Sequence, residues 1–405
     1  MTHWKRTFVS AFVAQVCSII GFAFAFPFVP FFIRDLGIEG KADQAFWAGA
    51  IMSAAGITLA LFAPVWGALA DRYGRKAMVV RSMIGGFFVL MLMSFVQNVG
   101  QLFVCRLLQG AFTGTISASV ALVASVVPQR RGGFALGMMQ AGVYVGMCLG
   151  PLAGGLAADY FGYRWAFRIG AVIILLGGVV AYFGTRENFT PPPSEPGGSA
   201  RKNVMDILAA PGFLAAVFVL FAVRFSNSTA SPAFPLIIQD LVGDIKRLNS
   251  VTGSVIASAA LVGAISAAVL GHAGDRWGHK RILITCALCA SVASLGHLFV
   301  QNLPQLYAVR ILFGLAVAGM MPAANASIQR TTRGSNVGRA YGIATSLSIL
   351  GFAFGPFTGG WIAQNWGLRA PFLVTCTGQI IVALVVVLFI REHKNSAQNV
   401  GSEIT

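Results

Sequence analysis

Long stretches without a charged residue recur along the chain, at 8–33, 46–70, 82–104, 107–127, 134–158 and 169–184. They resume at 212–239 (interrupted by Arg224), 250–273, 282–309, 311–329, 341–365 and 370–390. A bilayer core about 30 Å thick takes about 20 apolar residues of α-helix. Short polar turns, 97–101 and 301–305, divide neighbouring spans, and the pattern then predicts twelve transmembrane helices. Strands of a membrane barrel are about ten residues long and alternate in polarity; this pattern does neither. The expected fold class is an all-α membrane protein with two pseudo-symmetric six-helix bundles, 1–185 and 212–391. Between them lies a Pro/Gly/Ser-rich linker, 186–211, and after them a tail, 392–405.

Composition agrees with this reading. Hydrophobic residues are 56% of the chain and charged ones 10%, against about 25% charged in soluble proteins. The net charge of +16 invites a nucleic-acid reading, which its distribution opposes. Nineteen Lys and Arg fall in one alternating set of connections and helix ends. Only seven fall in the other: Arg34, Lys41, Arg164, Arg168, Lys246, Arg247 and Arg369. That is the positive-inside bias. It predicts a multi-pass protein of the cell inner (cytoplasmic) membrane with both termini cytoplasmic, surrounded by lipid and with no nucleic-acid partner. The first apolar run is too long for a signal-peptide core and is expected to be kept as helix 1. All six cysteines lie in predicted helices; Cys286-x-x-Cys289 is the one close pair and reads as small apolar residues, not as a metal site.

The halves repeat each other. Gly67-x-x-x-Asp71-Arg72-x-Gly74-Arg75-Lys76 returns 204 residues later as Gly271-x-x-x-Asp275-Arg276-x-Gly278-x-Lys280. Gln97-Asn98 and Arg106 return at the same offset as Gln301-Asn302 and Arg310. Gly150-Pro151-x-x-Gly154 returns as Gly355-Pro356-x-x-Gly359, and Pro27, Pro30 and Asp35 as Pro232, Pro235 and Asp240, all 205 apart. Six helices per half leave both in the same orientation, so the repeat is parallel about an axis along the membrane normal. The paired glycine turns read as latches at the cytoplasmic face, with Asp71 available to Arg or to helix N-terminal amides. The glycines of Gly142-x-x-x-Gly146-x-x-x-Gly150-Pro151-x-x-Gly154 line one face of helix 5, and Pro151 can bend it. Gly351, Gly355, Pro356 and Gly359 offer the same on helix 11.

These motifs resemble those of the major facilitator superfamily. The turn is similar to its loop 2–3 motif, Arg106 to its helix 4 arginine, and the helix 5 glycines to the antiporter motif of its drug:proton exporters. The resemblance covers essentially the whole chain. It implies a major facilitator fold with alternating access, a cavity lined by helices 1, 4, 7 and 10, and a cytoplasmic gate closed by Asp71, Arg72, Arg75, Asp275 and Arg276. A drug or other small amphipathic molecule is then the expected substrate, protons the coupling ion, and a monomer the expected state.

Charges inside spans default to functional candidates. Arg106 and Arg310 lie about six residues inside the outer ends of helices 4 and 10, roughly 8–9 Å deep. Arg224 lies about twelve residues into helix 7, roughly 18 Å deep and out of snorkelling range. Helical spacing aligns Gln109, Thr113 and Ser117 with Arg106, and Asn227, Ser228 and Ser231 with Arg224. Gln15, Phe22 and Phe26 on helix 1 and Asn325 on helix 10 complete the expected cavity. None of the thirteen acids falls at a span centre. Asp35, able to pair with Arg106, and Asp71 are therefore the candidates for proton coupling, with His297 behind them. Uncompensated Arg224 points to anionic or zwitterionic substrates. An importer or facilitator of a small metabolite is the rival transporter reading, which the helix 5 motif opposes. A sensor, scaffold or enzyme is the rival class; the loops are too short for a catalytic domain, and no catalytic set, phosphate loop, metal cluster or cofactor motif is present.

Overall fold

The computed structural model describes residues 3–187, 189, 212–331 and 337–390. The linker from 190 to 211 and the tail 392–405 lie outside the described residues, as does the side chain of Asp275. Twelve long helices lie among them. The first half holds α1 (Trp4–Asp35), α2 (Lys41–Tyr73), α3 (Arg75–Met93), α4 (Val99–Val126), α5 (Gln129–Phe161) and α6 (Tyr163–Gly184). The second holds α7 (Phe213–Val242), α8 (Leu248–Trp277), α9 (His279–Gly296), α10 (Leu303–Thr331), α11 (Val337–Trp366) and α12 (Pro371–Phe389). Eleven are long and apolar enough to cross a membrane; α9 opens on His279-Lys280-Arg281, which lowers its mean hydropathy. It nevertheless packs along α10 and α12 and returns the chain between two spanning neighbours.

Local chemistry is duplicated along with the pattern. Asn98 caps α4 by accepting from Gln101 N (2.9 Å), while Gln101 Oε1 accepts from Gln97 N (2.7 Å). Asn302 and Gln305 repeat this reciprocal cap on α10 at 3.0 and 2.9 Å. Gly74 and Gly278 carry φ of +90° and +94° between α2 and α3 and between α8 and α9, a conformation that side chains with a Cβ resist. Lys76 Nζ donates to the Thr185 carbonyl just after α6 (2.7 Å), and Lys280 Nζ to the Val387 carbonyl of α12 (2.9 Å).

Three helices expected to be continuous are broken. α1 passes through a 3-10 turn at Phe26–Phe28 beside Pro27 and Pro30, and α7 stops at Thr229 and restarts at Phe234 around Pro232 and Pro235. α4 stops at Phe112 and restarts at Thr115, because Gly114 adopts φ +132°. There the Gln109 carbonyl accepts from both Thr113 N (2.9 Å) and Thr113 Oγ1 (2.7 Å). The single face from Arg106 to Ser117 is therefore interrupted after Thr113. α5 and α11 instead run unbroken through Pro151 and Pro356.

Glycines of α5 and α11 set the tightest helix contacts. A Cβ on Gly146, Gly150 or Gly154 would meet Ile19, Ala23 or the Phe24 carbonyl of α1, the last at 1.9 Å. On α11, Gly351, Gly355 and Gly359 meet Phe221, Ser228 and Thr229 of α7 in the same way. The next glycine in each series crosses to the other half: Gly155 abuts Asn249 of α8, and Gly360 abuts Ala45 of α2. Gly253 of α8 and Gly49 of α2 in turn sit against the Pro151 and Pro356 carbonyls. One hydrophobic core continues from the first half through this interface, including Phe31, Phe32 and Ile33 with Phe234, Leu236 and Phe372.

Gly154→Ala places a methyl against a backbone carbonyl, so it should cost about 1–3 kcal/mol. Gly142 faces only side chains, Phe12 and Val16, and Gly142→Ala should cost less. Thermal unfolding in detergent checks the order; equal losses would count against the seam.

Candidate functional site

The two halves meet at one end and part at the other. At the face poorer in basic residues, Arg34 pairs with Asp244 (3.2 Å) and Lys41 with Asp240. Gln364 Nε2 donates to Asp43 (2.8 Å). Asp159, at the end of α5, accepts from the backbone N–H of Asn249 (3.1 Å) and Ser250 (2.8 Å), from Asn249 Nδ2 (2.9 Å) and from Ser250 Oγ. A carboxylate of one half thus caps the N-terminus of a helix in the other, where amide dipoles favour negative charge. Deeper in, Phe357 N donates to Ser53 Oγ (2.8 Å), and Gly56 abuts Ala353. Toward the basic face no ion pair among the described residues joins the halves. Gly67, Gly132, Gly133, Gly137, Gly271 and Gly342 would each meet nothing within 4 Å of an added Cβ.

The ion pairs contribute little by themselves. The side chains of Arg34–Asp244 and Lys41–Asp240 remain 39–67% exposed, and such surface pairs stabilise by about 0–1 kcal/mol. The Gln239 amide, then Arg34 and Lys41, hold the Asp244 carboxyl below the usual carboxylate value. Its contribution to closure is therefore complete above the ordinary carboxylate range and is lost only as pH falls through that lowered value. Across neutral pH Asp244 stays charged.

Three arginines lie within the spans, Arg106 on α4, Arg224 on α7 and Arg310 on α10. Arg106 is 7% exposed; its Nε donates to the Ile51 carbonyl (3.2 Å), its Nη1 to Gln109 Oε1 (2.6 Å), and its guanidinium lies 3.9 Å from the Phe26 ring centroid. It does not snorkel. It also makes no ion pair with Asp35, which is exposed in a cleft of about 310 Å³ beside Tyr163, Arg164 and Arg168. Arg310 lies 4.2 Å from the Phe234 ring and 5.4 Å from that of Phe313. Phe26 and Phe234 stand at the breaks of α1 and α7, so each break presents an aromatic face to an arginine. Arg224 is half-buried, and the Nε of Arg224, like that of Arg310, has no hydrogen-bond partner among the described residues. Neither of the two ion pairs among the described residues involves these arginines.

Other expected cavity residues have contacts of their own within the protein. Gln15 is fully buried and donates to the Met139 carbonyl of α5 (2.7 Å). Phe22 stacks on Phe26, their centroids 6.0 Å apart. Asn227 accepts from Gln379 of α12 (2.8 Å), and the Ser231 hydroxyl donates to the Ser228 carbonyl. Asn325 is half-buried on α10. His297 stacks on Phe372 at 4.5 Å with Nδ1 against the Ala293 carbonyl (2.8 Å). That contact places its proton on Nδ1. Its Nε2 has no partner among the described residues, so nothing there supports a second proton.

At the basic face Asp71 and Arg72 are exposed, and Asp71 makes no hydrogen bond or ion pair with a described residue. Arg276 is likewise exposed. The amides at the start of α3 are taken by Glu187, which accepts from Arg75 N (3.2 Å) and Lys76 N (2.8 Å); the sequence suggests Asp71 for that role. Asp43 and Asp159 at the opposite face carry no expected role either, and Asp240 is read from the sequence only as the repeat equivalent of Asp35. A signal existed: Asp159 and Gln364 are repeat equivalents, and each reaches the first turn of a helix in the other half, Asn249 and Ser250 of α8 or Asp43 of α2.

The sequence profile of the Major Facilitator Superfamily matches residues 11–241 and 216–404. Multidrug resistance protein MdtG of Klebsiella pneumoniae (strain 342) is 31% identical over 390 residues, covering 96% of this chain and 94% of that protein. MdtG of Salmonella typhimurium (strain LT2) is 32% identical over 374 residues, 92% of each. Among solved structures, a bacterial homologue of the human lysosomal transporter Spinster, inward-facing and occupied, superposes with a TM-score of 0.81 at 15% identity, over 96% of this chain and 97% of that one. At that identity the likeness concerns the fold.

Asp159→Ala removes four acceptor contacts, at about 1.5–3 kcal/mol for a bond to a charged group, and should shift the protein toward parting at this face. Distances between spin labels at the outer ends of α5 and α8 check it, with Lys41→Ala as the small-effect comparison. A shift no larger for Asp159→Ala than for Lys41→Ala would count against the cap.

Proposed function

This chain belongs to the Major Facilitator Superfamily, and we infer that it is a secondary active transporter exporting drugs or other small amphipathic compounds across the cytoplasmic membrane in exchange for protons. The observation that carries this reading is the 31–32% identity to MdtG multidrug resistance proteins over 92–96% of the chain. With the basic face cytoplasmic, as the positive-inside bias requires, the separation of the halves at that face describes an inward-facing state. Substrate enters there, the halves rock about the glycine seams, and the opposite face opens. Closing the cytoplasmic end brings the turn of Gly67, Asp71, Arg72, Gly74, Arg75 and Lys76 and its repeat at Gly271, Asp275, Arg276, Gly278 and Lys280 into the gate. Asp35 is open to the periplasm and Asp71 to the cytoplasm, so each is accessible to the proton pool that coupling needs.

Arg224 favours one refinement. A guanidinium near the midplane whose Nε lacks a protein partner is best compensated by the substrate, because an isolated charge in a low-dielectric site is costly. Anionic or zwitterionic compounds therefore suit the cavity better than cations.

Cells carrying the protein should survive higher concentrations of exported compounds than cells without it, and drug accumulation rather than efflux would indicate an importer. Asp35→Asn or Asp71→Asn should weaken the dependence of efflux on the pH gradient; an unchanged dependence in both sinks the coupling assignment. Arg224→Gln should reduce export of an anionic drug by about tenfold, the size of one charged hydrogen bond, and of a cationic drug far less.

A further inference from the structure

The repeat breaks down at a groove on the membrane-facing side of the second half. In the first half the space between α2, α3 and α4 is plugged. Trp66 Nε1 donates to the Ala111 carbonyl (2.6 Å), the Arg81 guanidinium stacks 3.4 Å from the Trp66 ring centroid, and Arg81 Nη1 donates to the Phe112 carbonyl (3.2 Å). Gly85 packs under Phe112. At the 204-residue offset these positions are Leu270 for Trp66, Thr285 for Arg81, Cys289 for Gly85 and Ala316 for Phe112. The smaller side chains leave a cavity of about 360 Å³ between α8, α9 and α10.

Its chemistry is one-sided. Ile265 and Val269 of α8, Leu312 and Leu315 of α10 and Cys289 of α9 line it and are themselves exposed, so it opens sideways into the bilayer. Its hydroxyls are turned into the helices: Ser266 Oγ donates to the Leu315 carbonyl (2.6 Å), and Thr285 Oγ1 to the Arg281 and Ile282 carbonyls (both 3.0 Å). An occupant meets hydrocarbon almost throughout. Polar chemistry returns only at the basic end. Arg281 lies one turn before Thr285 and two before Cys289 on the same face of α9, and Arg276 lies two turns beyond Val269 on the same face of α8. Both arginines are exposed.

We propose that this groove is a binding site for one anionic phospholipid of the inner leaflet, an acyl chain lying between α8, α9 and α10 and the headgroup phosphate at Arg276 and Arg281. The placement of that end in the inner leaflet rests on the orientation given under the proposed function. The apolar lining excludes a headgroup from the groove, and the paired arginines select a negative one at its mouth. A lipid there stands behind the stretch of α8 that leads to the second gate turn, a support that the first half supplies with its own Trp66, Arg81 and Phe112.

Native mass spectrometry of the purified full-length protein, loaded with phosphatidylglycerol or with phosphatidylcholine, tests this without any transport assay, so a failure of the export reading leaves the result interpretable. Wild-type protein should hold one more phosphatidylglycerol than phosphatidylcholine. Leu270→Trp with Ala316→Phe, which rebuilds the plug, should abolish that extra adduct, and Arg276→Gln or Arg281→Gln should weaken it about fivefold each. Should the plugged variant fold poorly, alkylation of Cys289 by N-ethylmaleimide serves instead, and should run slower in phosphatidylglycerol nanodiscs than in phosphatidylcholine ones. An extra adduct that survives plugging overturns the site. Equal retention of the two lipids, or equal alkylation in the two discs, overturns the anionic selection.

Discussion

Backbone approaching backbone at glycine is the contact on which the rest of this structure depends. α5 lies so close to α1, and α11 to α7, that added methyls on Gly154 and Gly359 would overlap the Phe24 and Thr229 carbonyls. Within a bilayer, helices gain little from excluding lipid, and close van der Waals packing supplies the association. The same two helices extend the seam to the other half through Gly155 and Gly360. The interface is thereby tight at the seam, beside which Phe46 of α2 and Phe357 of α11 meet with ring centroids 6.0 Å apart. A joint of that kind lets two bundles tilt without unpacking either one.

Charge is arranged around the seam in a way that follows from dielectric cost. The described carboxylates stand at helix ends, where water reaches them, and close one face of the molecule through Asp159, Asp43, Asp240 and Asp244. Well inside the spans the charged residues are arginines, and their surroundings differ. Arg106 uses a carbonyl, an amide and an aromatic face; Arg310 uses aromatic faces; the Nε of Arg310 and that of Arg224 have no partner among the described residues.

Duplication and its failures carry different information. Where the halves agree, in the capped starts of α4 and α10, the lysines reaching the ends of α6 and α12, and the glycine seams, the residues build scaffold. Where they differ, in Arg224 against Ile20 or in Trp66, Arg81 and Phe112 against Leu270, Thr285 and Ala316, one half offers chemistry or space that the other lacks.

Charge-free stretches and the polar turns dividing them determined the twelve helices, and the offset of polar and glycine landmarks determined the two parallel halves, because both are set by the cost of burying charge and backbone in hydrocarbon. The arginines within the spans and the paired glycine turns were legible for the same reason. Helical spacing alone did not settle which way Gln15, Asn227 or Ser231 points: each is on a plausible polar face, but neighbours on α5, α12 or its own helix took its hydrogen bond. Nor did it reveal the breaks in α1, α4 and α7, which depend on local proline and glycine geometry. The closure by Asp159, the capping by Glu187, the separation of Arg106 from Asp35 and the open groove beside Cys289 were decided only when distant segments met. Such pairings join residues as far as 321 positions apart, and no local pattern constrains partners at that range.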